Sequence, residues 1–148
     1  MDGRFSAFTL LISSLSRHIR RIKTAEVAEY GLKSPHVSCL YYIHKAGKLT
    51  ARELCDMCGE DKGAVSRSLE YLEKKGLITT EVIDGKKYKT PLVLTERGLK
   101  VANELSTKID RALEKAGEGL KEEDRLIMYR SLEIINNNLK DVCKEYQD

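Results

Sequence analysis

The sequence has no apolar run that approaches the ~20 residues a helix needs to cross a bilayer. The stretch AFTLLI near its start is too short for the core of a signal peptide, and the arginines follow it instead of preceding it. We therefore expect a cytoplasmic protein with no membrane partner. In that compartment its four cysteines are expected to be reduced and not bridged.

The motifs of common enzyme classes are also missing. The sequence contains no GxSxG, no P-loop, no dinucleotide-binding fingerprint and no HExxH. Cys55 and Cys58 have CxxC spacing, but no second pair follows at the spacing of a zinc finger, which needs four ligands. We predict a protein that is not an enzyme, with no cofactor, no catalytic residues and no metal site.

Charge of one sign is not in large excess either. A formal net charge of +3 permits a nucleic-acid partner without demanding one. Apolar residues make up 41% of the chain and charged residues 33%, which is the composition of a folded domain and excludes a disordered chain. A chain of 148 residues can bury its own core.

Helical periodicity is what the sequence does have. Apolar residues recur at spacings of three to five from residue 6 to residue 30, where Gly31 ends a long amphipathic helix. Ser34 as cap and Pro35 as first residue predict the start of a second helix, which ends at Gly47.

Two further helix starts follow in quick succession. Thr50 and Glu53 form a predicted capping box for a short helix that ends at Gly59. Asp61 is the predicted cap of the next helix, and Gly76 ends that helix in a left-handed conformation. Two helices so close together predict a helix-turn-helix.

A β-hairpin is predicted after the helix-turn-helix. Asp84-Gly85 stands between the β-prone runs ITTEVI and KKYKTPLVL, and Pro91 indicates an edge or a strand end. One helix is then predicted to start at Thr95, and a last helix is predicted to span residues 122–147. The predicted fold is mainly α with a small β-hairpin wing. A winged helix-turn-helix domain occupies residues 35–94, and residues 1–34 and 95–148 form a helical dimerisation region.

The helix after Asp61 has the character of a recognition helix. Val65, Leu69 and Leu72 form its buried stripe, while small and basic side chains occupy the other face. Such a helix reads base edges with its N-terminal residues, and Arg67 can offer a bidentate fork to guanine. The predicted DNA-binding residues on the two helices and the hairpin are Arg52, Lys62, Gly63, Ala64, Ser66, Arg67, Lys86, Lys87 and Lys89.

The run LTARELCDMCGEDKGAVSRSLEYLEKKGLI, followed after the wing by LTERG, resembles the MarR family of transcriptional regulators. The resemblance implies an obligate homodimer that binds a pseudo-palindromic operator on double-stranded DNA, usually as a repressor. It also implies release by a small ligand, often phenolic or anionic, or by oxidation. One feature departs from the family, whose wings usually carry Asp-x-Arg, because the wing DGKKYKTP contains no arginine.

The family's effector pockets lie near the first two helices, where this chain places His18, Arg21, Tyr41 and Tyr42. We predict that these four side chains line a pocket for an aromatic or anionic effector. The alternative is that the tyrosines belong to the core or to an interface and that their hydroxyls find a partner there.

Two other functions stay open. The first is a thiol-redox or metal-responsive regulator that uses Cys55 and Cys58, although free cysteines at these positions are more often buried core residues. The second is a winged-helix protein-interaction module without DNA affinity. It is favoured by the balance of eight Lys/Arg against seven Asp/Glu in residues 60–98.

Overall fold

The computed structural model describes residues 3–81 and 90–146. Its described residues confirm a mainly helical fold with a two-stranded antiparallel sheet. The elements are α1 (Arg4–Val27), a short 3-10 helix (Ala28–Tyr30), α2 (Ser34–Ala46), α3 (Ala51–Cys58), α4 (Lys62–Lys74), β1 (Ile78–Thr80), β2 (Leu92–Leu94), α5 (Glu96–Ala116) and α6 (Glu122–Glu145).

The chain divides into two compact units, Met1–Arg111 and Ala112–Asp148. The first unit holds a single core of buried side chains, which α2, α3, α4 and both strands supply together. Val27 and Leu32 join this core from one side of the predicted winged domain, and Val101 and Leu105 join it from the other. The core therefore extends past both ends of residues 35–94, whose division from the flanking helices stays a prediction.

The predicted caps of α3 and α4 are confirmed by their hydrogen bonds. The Glu53 amide donates to the Thr50 hydroxyl oxygen at 3.3 Å, and the Thr50 amide donates to a Glu53 carboxylate oxygen at 2.8 Å. At the start of α4, the Ala64 amide donates to Asp61 Oδ1 at 2.9 Å. These bonds satisfy amides that have no partner within the helix.

The end of α4 is closed by the left-handed glycine that the sequence predicted. Gly76 has a φ of 68°, its amide donates to the Glu73 carbonyl at 2.9 Å, and the Leu77 amide donates to the Leu72 carbonyl at 3.0 Å. This pair of bonds is a Schellman motif, and the burial of Leu77 supplies its hydrophobic contact.

The start of α2 differs by one residue from the prediction. Ser34 is the first helical residue, so the cap position falls on Lys33 and not on Ser34. The Lys33 amide donates to Nδ1 of His36 at 2.9 Å, so an imidazole takes the part of the usual acidic side chain. Capping at this end depends on the ring orientation of His36, which the dipeptide Ser-Pro does not reveal.

Strand pairing joins the hairpin to the segment before α3. Ile78 pairs with Leu94 and Thr80 with Leu92 in an antiparallel register, and the predicted tip at Asp84-Gly85 lies outside the described residues. The sequence did not predict the bridge between Leu49 and Leu92, in which the Leu92 amide donates to Leu49 at 2.7 Å and the Leu49 amide donates back at 3.2 Å. This bridge closes the chain around α3, α4 and β1.

The start of α5 is packed directly against the end of α4. A Cβ placed on Gly98 would lie 1.7 Å from the Leu77 carbonyl oxygen. The Thr95 hydroxyl donates to the Gly76 carbonyl at 2.6 Å and accepts from the Gly98 amide at 3.0 Å. Glycine is therefore required at residue 98, because any side chain would collide with backbone.

The terminal helices leave most of their apolar residues exposed. On α1, Val27 is buried, but Leu11 is 64% exposed and Leu15 55%. On α6 none of the described side chains is buried, and Leu126 is 58% exposed. On α5, Leu105 is buried in the core. Across residues 3–81 and 90–146, no helix is both long and apolar enough to span a membrane.

Candidate nucleic-acid interface

A three-residue turn connects α3 to α4. It consists of residues 59–61, and Gly59 adopts the left-handed conformation with a φ of 62°. Leu54 of α3 and Val65 of α4 are both buried in the common core, so the two helices are fixed against each other. A short glycine-containing turn between two packed helices is the arrangement of a helix-turn-helix.

The two faces of α4 divide as the sequence predicted. Val65, Ser68 and Leu72 are buried, and Leu69 packs against the core while partly exposed. Ser68 adds a buried hydroxyl that the stripe did not include, and this hydroxyl donates to the Ala64 carbonyl at 2.9 Å. Lys62, Ser66 and Arg67 are exposed on the opposite face, with Gly63 and Ala64 partly exposed beside them. We call Lys62, Gly63, Ser66 and Arg67 the outer face of α4.

Gly63 gives the Arg67 side chain room at the start of α4. A Cβ at residue 63 would lie 3.2 Å from Arg67 Nη1 and 3.0 Å from Asp61 Oδ1. The guanidinium therefore lies over the first turn of the helix, next to the cap. This position places a bidentate donor at the end of the helix whose dipole also favours an anion.

The C-terminal half of α4 is fixed to α2 by an aromatic stack. The rings of His36 and Tyr71 are nearly parallel, at 5°, with centroids 4.4 Å apart, and the Tyr71 hydroxyl donates to the Gly31 carbonyl at 2.9 Å. Burial lowers the pKa of His36, with a smaller contribution in the same direction from the charge of Lys33. Both effects favour the neutral imidazole, whose Nδ1 accepts the hydrogen bond from the Lys33 amide.

The remaining predicted DNA contacts are placed only in part. Arg52 is exposed on α3, and Thr50 and Glu53 cap the first turn of that helix. Lys86, Lys87 and Lys89 of the wing lie outside the described residues, so their contribution to this surface stays a prediction.

The four predicted effector residues lie on two helices. His18 and Arg21 are exposed on α1. On α2, Tyr41 and Tyr42 meet edge to face with centroids 5.7 Å apart, Lys45 Nζ lies 5.3 Å from the Tyr41 ring, and Tyr42 packs against the core. The core alternative describes Tyr42 well, and the role of the other three stays a prediction.

A cavity of about 380 Å³ lies beside the end of α3 and is lined by a different set of residues. Its lining combines apolar side chains of α1 with polar side chains that include Lys23, Ser38 and Cys58. Lys23 Nζ donates to the Ser38 hydroxyl oxygen at 3.0 Å. Sequence reasoning missed Lys23 and Ser38. The one feature of the sequence that could have indicated them is that both belong to the helices expected to line an effector pocket.

The four cysteines differ in their exposure. All four cysteines are free, with Cys39 buried, Cys55 and Cys58 partly buried and Cys143 exposed. Cys39 of α2 is the main cause of a lowered pKa of Cys58, and Cys58 is the main cause of a raised pKa of Cys39. Within the described ranges, no three His, Cys, Asp or Glu side chains are grouped so that they could hold a metal ion.

Comparison with known proteins gives one family match. Residues 30–87, which include α2, α3, α4 and β1, match the model of the MarR family. Over these residues the chain is similar to that family. No curated protein matches the sequence.

Solved MarR-family structures share the fold over most of the chain. A protein from Listeria monocytogenes, described as a MarR-family transcriptional regulator complexed with 26mer DNA, is 23% identical, with a TM-score of 0.81 over 88% of this chain and 87% of that one. MepR of S. aureus in its DNA-binding conformation is 19% identical, with a TM-score of 0.80 over 89% and 98%. A MarR regulator from Methanosarcina mazei Go1 is 21% identical, with a TM-score of 0.78 over 96% and 94%.

The MarR-family match confirms the resemblance found in the sequence, and the solved structures confirm the winged-helix fold.

Proposed function

We propose that this MarR-family protein is a sequence-specific transcriptional regulator that binds double-stranded DNA. The observation that carries the proposal is the outer face of α4. Lys62, Ser66 and Arg67 are exposed there together, on a helix held rigidly by Val65 and Leu72. A helix that is fixed on one face and carries donors at the start of the other suits the major groove.

Each donor of the outer face has a distinct expected part. Arg67 lies against Gly63 at the first turn, where a fork-shaped donor can read O6 and N7 of guanine. Lys62 suits a phosphate, for which a flexible point charge suffices. The wing lysines Lys86, Lys87 and Lys89 and the α3 residue Arg52 are assigned to the flanking backbone or minor groove.

We further propose that the protein is a cytoplasmic homodimer. It would repress transcription by binding a pseudo-palindromic operator. The exposed apolar residues of α1 and α6 support a partner, since apolar helix faces of this length are normally covered. The dimerisation region would be residues 1–34 and 95–148. Two winged domains in such a dimer would contact half-sites about one helical turn, ~10 bp, apart.

Release by a small phenolic or anionic effector completes the proposed cycle. His18, Arg21 and Tyr41 remain the candidates for such a site, because they are partly or fully exposed on the first two helices. A ligand that binds the DNA-free conformation more tightly would lower operator affinity by that difference in binding free energy.

The test is DNA binding to the chain's own upstream fragment, measured by fluorescence anisotropy over a salt series. We expect affinity that falls steeply with salt and exceeds the affinity for random DNA by roughly 10³ or more. Arg67→Ala should lose ~1–3 kcal/mol of discrimination at one base pair, with its melting temperature unchanged. Arg111→Ala, which removes the same charge from the exposed surface of α5, is the matched control and should bind like the parent.

Two results would contradict the proposal. Equal affinity of the Arg67→Ala and Arg111→Ala variants for the operator would remove Arg67 from the interface. Equal affinity of the parent protein for all DNA would favour the protein-interaction module.

A further inference from the structure

The carbonyl of Gly31 receives a hydrogen bond from the candidate DNA-reading helix. The Tyr71 hydroxyl of α4 donates to it at 2.9 Å, across 40 positions of the sequence. Gly31 has a φ of 66°, and a Cβ added there would lie 3.9 Å from the Tyr71 hydroxyl, so the glycine lies directly against its donor. The Tyr71 ring stacks on His36 and packs against the core. Both the ring and the hydroxyl of this tyrosine therefore have partners.

This contact acts close to the predicted base-reading side chain. Tyr71 follows Arg67 by one helical turn, ~6 Å along the axis of α4. Val65 and Leu72 hold the other face of the helix by apolar contacts, which have no preferred direction. A hydrogen bond has a defined length and angle. The Tyr71 hydroxyl is therefore suited to fix the rotation of a helix that the core already holds in place.

The segment that carries Gly31 is itself bound to α5. Tyr30, the last residue of the 3-10 helix, donates its hydroxyl to a Glu104 carboxylate oxygen. Lys108, one turn further along α5, donates to Glu29 Oε1 at 2.7 Å, and its Nζ lies 5.9 Å from the centre of the Tyr30 ring. The acceptor for Tyr71 therefore lies beside a segment that two side chains of α5 hold.

We propose that Tyr71 is a positioning residue for DNA recognition, whose hydrogen bond to Gly31 sets the rotation of α4 against a segment held by α5. The inference rests on the proposed function, because it concerns the helix assigned there to the major groove. Tyr71 acts through Arg67 and has no base contact of its own. A helix oriented before it meets DNA loses less conformational freedom on binding, so more of the free energy of its base contacts appears as affinity.

Operator and random DNA should depend differently on this hydrogen bond. Reading a base edge requires a correctly rotated helix in the major groove. Binding to random DNA comes from attraction between basic side chains and phosphates and does not require that rotation. Loosening α4 should therefore reduce affinity for the operator and leave affinity for random DNA unchanged. Partial unfolding would instead reduce both affinities by the same factor.

The first test is the Tyr71→Phe variant, which removes the hydroxyl and keeps the ring that stacks on His36. Its dissociation constant for the operator should rise roughly three- to tenfold, the range expected for loss of one hydrogen bond, with no change for random DNA. Tyr146→Phe is the matched control, since it removes a hydroxyl from a tyrosine that is 85% exposed. Unchanged operator affinity, or an equal loss on both DNAs, would overturn the positioning role.

The second test asks whether α5 acts through the same hydrogen bond. Tyr30→Phe removes the contact with Glu104 and should lower the ratio of operator to random-DNA affinity by a smaller factor than Tyr71→Phe. In the Tyr71→Phe background it should have no further effect, because the carbonyl has already lost its donor. The same factor in both backgrounds would show that Tyr30 and Tyr71 act independently and would refute the link to α5.

The parent protein separates failure of this inference from failure of the proposed function. If the parent binds its own upstream fragment no better than random DNA, both are wrong. If the parent discriminates and Tyr71→Phe discriminates equally well, only the inference is wrong. Amide hydrogen exchange checks the contact without DNA. Tyr71→Phe should speed exchange several-fold in residues 72–77 and leave α3 unchanged, and equal rates at the end of α4 would count against the tether.

Discussion

At the scale of single residues, a glycine cannot be replaced where an added side chain would collide with the backbone of another segment. Gly98 and the Leu77 carbonyl are in direct contact, while most other described glycines have open space where a Cβ would stand. Gly63 differs from Gly98, because the atoms that a Cβ there would meet are the movable ends of Arg67 and Asp61. The fold therefore requires glycine at residue 98. At residue 63, glycine instead leaves room for the side chains of Arg67 and Asp61 at the start of α4.

Gly98→Ala should lower the free energy of unfolding by at least about 2 kcal/mol, because the added methyl would overlap a backbone oxygen and force α5 away from β1. Urea denaturation at fixed protein concentration measures this loss. Gly3→Ala is the control, since a Cβ there meets nothing within 4 Å. Equal stability of the two variants would show that the start of α5 moves freely.

His36 gives the fold a dependence on pH. Its pKa is lowered from 6.5 in the folded protein, mainly by burial, so the unfolded chain takes up a proton at a higher pH than the folded one. The contribution of His36 to the free energy of unfolding is fully present above its pKa in the unfolded chain, about 6.5. This contribution is lost as the pH falls from there towards the lower pKa of His36 in the folded protein. Thermal melts between pH 7.5 and about 5 should show this slope, and His36→Gln should flatten it. If the melting temperatures of the parent protein and the variant changed with pH in the same way, His36 would not be the cause of the pH dependence.

At the scale of elements, local signals predicted each helix start and end of the helix-turn-helix within one residue. Thr50 with Glu53, Asp61 and Gly76 all act on neighbours within five residues, so the sequence contains the whole interaction. The Leu49–Leu92 bridge, the Cys39–Cys58 contact and the His36–Tyr71 stack were not predicted. They join residues far apart in the chain, and their existence depends on how the elements pack.

The cap of α4 combines a structural and an electrostatic part. Asp61→Ala should destabilise the protein by about 1 kcal/mol, because the Ala64 amide loses its acceptor. Asp61→Asn keeps an acceptor and should cost only a few tenths of a kcal/mol, from the weaker interaction with the helix dipole. It also removes a negative charge beside Arg67, so we expect tighter DNA binding at low salt, by up to about 1 kcal/mol. Weaker DNA binding by Asp61→Asn would place the start of α4 away from phosphate.

At the scale of the whole molecule, the described chain buries one core and leaves two long helices with apolar faces exposed. Leu11 on α1 and Ile127 on α6 are each more than 60% exposed, although both helices are amphipathic. The sequence predicted the amphipathic helix that ends before Gly31, but it could not show how many apolar residues of that helix the core leaves uncovered.

The homodimer proposal predicts that stability depends on protein concentration. The melting temperature should rise by several degrees for a hundredfold increase in concentration, because association binds only the folded state. Sedimentation equilibrium at the higher concentration should give twice the 16.8 kDa chain mass. Leu126→Glu should shift the association equilibrium towards the monomer. A single-chain mass at all concentrations, with a constant melting temperature, would contradict the dimer.

The bridge between Leu49 and Leu92 has a consequence for how the protein opens. Its two hydrogen bonds, of 2.7 and 3.2 Å, join the residue just before the capping box of α3 to the first residue of β2. Everything between them, including both helices of the DNA-reading motif, lies inside a closed loop of chain. Separating α3 and α4 from β2 would break both of these bonds, so we expect the Leu49 and Leu92 amides to exchange their hydrogens only when the motif opens as a whole.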